Sequence, residues 1–88
     1  MRLYEEIEKS FSSIEKHSSA KEILIFKDTC ISKLYMYHFS MGLWIRNNLL
    51  HSEQSLLKRL FIENGIESPD DMSSIIIQLF HYYISRLK

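Results

Sequence analysis

Four side chains in this 88-residue chain carry the chemistry to hold or transform something polar: His38, Arg46, Asp70 and Asp71. An imidazole titrates near neutral pH and so serves as a proton shuttle, a ligand or a switch. A guanidinium grips carboxylates and phosphates through a rigid fork of donors. Adjacent carboxylates can balance that charge, although one loop offering two of them is a poor divalent-cation site. His38 and Arg46 sit in a segment that is otherwise largely apolar, and Asp70-Asp71 directly follow the only proline. Two readings fit. In one, Arg46 is a structural clamp, bidentate to Asp70 or Asp71, and His38 is a neutral core imidazole. In the other, the four residues form a small-ligand or enzymatic site.

Other chemistry is sparse. No Ser–His–Asp or Cys–His arrangement has a recognisable spacing, and there is no Gly-rich phosphate loop and no HExxH. The sequence therefore leans away from an enzyme, and no metal or cofactor is expected. Cys30 stands alone, which excludes an internal disulfide and any Cys-based zinc site and suits a reducing cytoplasm. Eleven acids balance eleven bases. A net charge of zero argues against binding driven by phosphate neutralisation, which needs a basic excess. Lys33, Lys58, Arg59, Arg86 and Lys88 are the residues a weak nucleic-acid contact would use. No apolar run is long enough to cross a membrane, and Glu5, Glu6 and Glu8 are unlike a targeting segment.

The elements that must position these groups are helical. Apolar residues make 45% of the chain and glycine and proline number only three, so residues 1–88 read as one packed helical domain. Leu3, Ile7, Phe11 and Ile14 form a single stripe, predicting a surface helix over about 3–16. Ser18-Ser19 break it and can cap the next segment, a possible helical turn near 21–27. Asp28 or Thr29 can cap a long helix over about 30–50. On a wheel of 100° per residue that helix is apolar nearly all round, with His38 and Arg46 inside the apolar surface and Gly42 marking a close helix–helix approach. Ser52 can cap a shorter helix over 53–64, which Asn64-Gly65 ends. Ser68-Pro69-Asp70-Asp71 reads as a helix start, with a cap, a first-turn proline and acids facing the positive end of the dipole. The last helix, 69–87, has a wide apolar arc, with Ser74, Gln78, His81 and Ser85 as its solvent strip. The fold expected is a small all-α bundle of three long helices and one shorter one, the second and last at its centre. Trp44, Tyr82 and Ile77 are the candidate interface residues.

Two motifs carry a resemblance. His38-Phe39-Ser40-Met41-Gly42-Leu43-Trp44-Ile45-Arg46-Asn47-Asn48, then Gly65-Ile66 and Pro69-Asp70-Asp71-Met72-Ser73, resemble a small bacterial family of unknown function. Its pattern is a histidine, Leu-Gly and Ile-Arg-Asn, followed by Gly-Ile and His-Pro-Asp-Asp-Met-Ser. Ser68 stands here where that family often has His, and Leu49-Leu50 replace a Trp-containing stretch. The resemblance implies a helical domain of bacterial or phage origin and brings no activity. Surplus apolar arc, neutral charge and absent catalytic signatures point to a non-enzymatic interaction module. It would bind a protein partner or itself, as an antidote, inhibitor or adaptor.

Overall fold

The computed structural model describes residues 2–87, and Lys88 lies outside them. Five α-helices and one 3-10 helix follow one another, with no strand among the described residues: α1 (Arg2–His17), α2 (Ala20–Asp28), the 3-10 helix (Ile31–Tyr37), α3 (Met41–Asn48), α4 (Leu56–Glu63) and α5 (Pro69–Leu87). The small all-α bundle expected from the sequence is the fold observed.

The apolar stripe of α1 does what its spacing requires. Leu3, Ile7, Phe11 and Ile14 are all buried. The helix stops at the serine pair. Ser18 donates its hydroxyl to the Ile14 carbonyl at 3.0 Å. Ser19 caps α2 through a reciprocal box: the Glu22 amide donates to Ser19 Oγ, and the Ser19 amide donates to Glu22 Oε1. The capping signal makes this segment a full helix rather than a single turn.

The stretch expected as one helix over 30–50 is two elements. A 3-10 helix runs to Tyr37, a turn occupies 38–40, and α3 begins at Met41. Neither Asp28 nor Thr29 caps it. Cys30 takes the N-cap position without a side-chain bond, and Thr29 Oγ1 instead donates to the Ile25 carbonyl. The segment is rich in aromatic residues, whose helix propensity is modest. A period of three residues also sorts its side chains differently from a 3.6 wheel. Leu34 and Tyr37 turn to the core, Tyr37 with its hydroxyl 3.1 Å from Thr29 Oγ1. Met36 and Phe39 are left exposed.

Helix α4 starts three residues later than the sequence suggests. Its cap is Ser55, which accepts from the Lys58 amide and donates to the Leu49 carbonyl. The Ser52 hydroxyl accepts a local bond from the Gln54 amide instead. At the other end Gly65 takes φ +85°. The Ile66 amide donates to the Phe61 carbonyl and the Gly65 amide to the Ile62 carbonyl, a Schellman closure. The α5 helix then starts at Pro69, where the proline and acid pair place it.

At the centre stands α5, packed against α1, α2, the 3-10 helix, α3 and α4. Phe11, Phe26 and Phe80 meet at its middle, with centroids 5.4 and 5.5 Å from Phe80. Each is fully buried, and burying a side chain of this size stabilises by about 2–3 kcal/mol. The α3 helix packs on one flank of α5, which brings Arg46 to the start of the last helix.

Candidate functional site

Arg46 is the hinge pin of the polar cluster. Its side chain is 15% exposed and reaches across Gly42 towards α5. A Cβ at position 42 would stand 3.0 Å from Arg46 Nη1 and 3.6 Å from Ile77 Cδ1, so only glycine leaves this path open. Instead of the close helix–helix approach expected at Gly42, it is the guanidinium from the same helix that needs the space. Nη1 donates to Ser73 Oγ at 2.9 Å. Nη2 donates to the His38 carbonyl at 3.1 Å. Ser73 Oγ in turn donates to the Asp70 carbonyl, so this fully buried hydroxyl is satisfied as both donor and acceptor.

The carboxylate is a lesser partner than the sequence suggested. Asp70 Oδ1 lies 3.6 Å from Arg46 Nε and 4.0 Å from His38 Nε2. Neither distance is a hydrogen bond. Asp70 is 66% exposed, where solvent screens such pairs strongly. Asp71 is exposed on the next position and joins no pair with Arg46. Arg46 therefore locks α3 to α5, but through Ser73 and the freed His38 carbonyl rather than a bidentate carboxylate. The chain break at 38–40 is part of this lock: in an unbroken α-helix the His38 carbonyl would face the Gly42 amide. Ser73 was missed from the sequence. Its signal was a lone hydroxyl at the head of the row Ile77, Phe80, Ile84, all of them core.

A second feature is apolar and open. Of the ten large hydrophobic residues exposed among those described, seven lie within residues 24–43: Leu24, Ile25, Ile31, Tyr35, Met36, Phe39 and Leu43. Phe39 is 81% exposed, and its ring meets the His38 ring edge to face at 4.8 Å. Beside it opens a cleft of about 210 Å³ between the 3-10 helix and α5, lined by Ile31, Tyr35, His38, Ser74, Ile77 and Gln78. A further cleft of about 360 Å³ continues along α5 past Leu34, Gln78, His81 and Tyr82. A third cleft, of about 280 Å³, lies between α1, α2 and α3, walled by Ile14, Ile25, Tyr37, Met41 and Trp44.

The other residues singled out by sequence are scattered around this frame. Trp44 is half-buried and stacks on His17 at 4.4 Å. Tyr82 is exposed and accepts a bond from Arg86 Nη1. Ile77 is only 4% exposed, so it is core and offers no interface surface of its own. His81, expected on the solvent strip, is buried at 8% exposure because Phe26 of α2 packs against its ring at 5.2 Å. Its Nε2 is buried without a hydrogen-bond partner. Cys30 is an exposed free thiol. Lys58 is tied to Glu53 at 2.9 Å, and the Lys58 ammonium holds the Glu53 carboxyl below its ordinary range. The Ser19 amide, and then the Ser19 hydroxyl, do the same for Glu22. Among the described residues no three His, Cys, Asp or Glu side chains come together as metal ligands, and no helix is long and apolar enough to cross a membrane.

A family model described as a domain of unknown function, DUF6794, matches residues 5–84, and the chain belongs to that family. No curated protein and no solved structure matches the chain. The resemblance drawn from the two motifs thus holds at the level of a family of unknown function.

Proposed function

We propose that this member of the DUF6794 family is a non-enzymatic helical interaction module. It binds protein through the face built by α2, the 3-10 helix and α3. One observation carries this reading: the concentration of exposed large hydrophobic residues within residues 24–43. A chain that needed only to fold would gain by burying or replacing them, because scattered single hydrophobics are ordinary on a surface whereas a concentration of them marks a contact. Antidote, inhibitor and adaptor roles all suit a small rigid domain with such a face. The motif pattern suggests a bacterial setting, and an exposed free thiol suits a reducing cytoplasm.

The polar cluster supports a ligand or enzymatic reading less well. Both Arg46 terminal nitrogens already donate within the protein and the side chain is only 15% exposed, so little of the guanidinium is presented to an anionic ligand. The scattered basic residues are likewise partly committed, Lys58 to Glu53 and Arg86 to Tyr82.

The test is affinity capture from the cells that make the protein, with wild type, Tyr35→Asp and Tyr4→Asp. Tyr35 is 75% exposed on the proposed face, and Tyr4 is an exposed tyrosine on α1. Wild type and Tyr4→Asp should hold the same proteins, a second copy included, and Tyr35→Asp should lose them. Equal retention by all three, or retention of nothing, defeats the proposal.

A further inference from the structure

We infer that residues 31–40 form a convertible segment. The Arg46 side chain latches them as a 3-10 helix and a turn, and on its release they join α3 as one continuous α-helix. The inference concerns the conformation of this segment and stands apart from what its face binds.

Nothing local breaks the chain at 38–40. His38-Phe39-Ser40 contains neither glycine nor proline. His38 already has helical dihedrals, φ −57° and ψ −45°. Ser40 departs from them, at −100° and −85°, and its side chain makes no capping bond. Among the described residues of the turn, only the His38 amide donates to a backbone carbonyl, that of Tyr35. The 3-10 helix before it is seven residues long. Such runs seldom exceed about three or four residues, and a 3-10 stretch in the course of a helix often marks a hinge. The hold on the break is tertiary. Arg46 Nη2 takes the His38 carbonyl at 3.1 Å, while Nη1 is fixed to Ser73 of α5 at 2.9 Å. In a continuous α-helix the His38 carbonyl would accept from the Gly42 amide, and the Met36 carbonyl from the Ser40 amide. The two forms thus exchange an arginine bond for backbone bonds.

The faces of the two elements are already in register for the join. On one wheel of about 100° per residue, Leu34 and His38 fall within about 20° of Ile45, Tyr37 lies beside Trp44, and Met36 lies beside Leu43. Leu34 and Ile45 are both core, Tyr37 and Trp44 are both half-buried, and Met36 and Leu43 are both exposed. Conversion therefore turns no core side chain outward. What it changes is the exterior. Ile31, Tyr35, Phe39 and Leu43 are spaced by four residues, and all are exposed. The break now interrupts this row. In a continuous α-helix, residues four apart stand one above another, so the four side chains would form one apolar ridge winding along it. One core with two exteriors is the arrangement of a bistable element.

Solution NMR of the full chain tests this, with wild type, Arg46→Met and Gly42→Ala. Gly42→Ala keeps the arginine but dislodges it, since the added Cβ would stand 3.0 Å from Nη1. In wild type, Hα protons within 31–37 should contact the amide two residues on, and the pairs Met36–Ser40 and His38–Gly42 should show no contact. Both variants should gain Hα-to-amide contacts at these two pairs, and the Ser40 Cα resonance should move to the helical side. Contact between the Phe11 and Phe80 rings, whose centroids are 5.4 Å apart, shows that the core is intact. A variant with an intact core that keeps the wild-type interruption overturns the inference, as does one whose residues 31–40 lose helical contacts altogether. If one variant loses the core, the other decides. Loss of the core in both also overturns it, because Arg46 would then hold the whole fold and not a latch.

Discussion

Replacing Arg46 with methionine separates a structural lock from a ligand site. The variant keeps most of the apolar stem and removes both terminal donors. The bond to Ser73 Oγ joins a charged donor to a fully buried acceptor, a class of contact that contributes about 1.5–3 kcal/mol. The bond to the His38 carbonyl adds less, since half-buried His38 can take water in its place. Asp70 adds little at 3.6 Å and 66% exposure. Relief from burying a guanidinium opposes the loss. The net expectation is a destabilisation of about 2 kcal/mol, against a total near 4–13 kcal/mol for a chain of this size. The transition midpoint should fall by roughly 8–16 °C. Urea unfolding followed by far-ultraviolet circular dichroism measures it, and a double-mutant cycle with Ser73→Ala should return a coupling of about 1–2 kcal/mol. Arg46→Lys should recover less than half, because an ammonium lacks the planar fork that reaches two acceptors. A methionine variant within about 0.5 kcal/mol of wild type, or strict additivity with Ser73→Ala, refutes the lock.

Three further outcomes follow from the geometry. Gly42→Ala should destabilise the wild type by about 1 kcal/mol, since its Cβ meets a pinned guanidinium at 3.0 Å and the disturbed bond outweighs the gain in helix propensity; in the Arg46→Met background the same substitution should become neutral or stabilising, and an unchanged sign in the two backgrounds counts against the account. Gly65→Ala should cost about 1–2 kcal/mol through its φ of +85° alone, because nothing lies within 4 Å of the added methyl, and Gly65→Asn should cost less in the same urea assay. The Glu22 carboxyl should titrate below its ordinary range by NMR and return towards it in Ser19→Ala. Its folded value is the depressed one, so the capping contribution is full above the ordinary carboxylate value and disappears as pH falls through the folded value; a Ser19→Ala penalty that is constant across this acid range would contradict it.

Local rules were legible wherever local chemistry decides the outcome. The stripe of α1, the serine break, the glycine stop after α4 and the proline start of α5 each depend on residues within one turn of each other. The segment 30–50 was not legible, because a wheel drawn at 100° presumes the very geometry in question. Its break is held by bonds that skip 8 and 27 residues, from Arg46 to the His38 carbonyl and to Ser73. In the candidate site, the sequence identified Arg46 as needing a partner. It marked Gly42 for a neighbouring helix, where Arg46 of the same helix takes the space. It favoured the nearest charges over a buried hydroxyl, since a carboxylate is a stronger attractor on paper and exposure is invisible in a sequence. His81 was misread for the same kind of reason: whether a strip on α5 meets water depends on where α2 lands.

The central position of α5 also governs the order in which this chain can fold. Phe11 of α1 and Phe26 of α2 come together through Phe80 of α5, far downstream in the sequence, although nearer contacts, Phe26 with Tyr37 and His17 with Trp44, can form earlier. Closing such long loops before the central contacts form slows folding relative to bundles whose sequential neighbours pack first. During synthesis, the stripe of Leu3, Ile7, Phe11 and Ile14 emerges long before α5, whose Phe80 and Tyr83 pack on Phe11. A chain arrested before α5 emerges holds an uncovered apolar surface and an unfinished core, which makes it a client for chaperones and a substrate for proteases. Pro69 therefore marks the boundary between a vulnerable nascent chain and a domain able to close around its last helix.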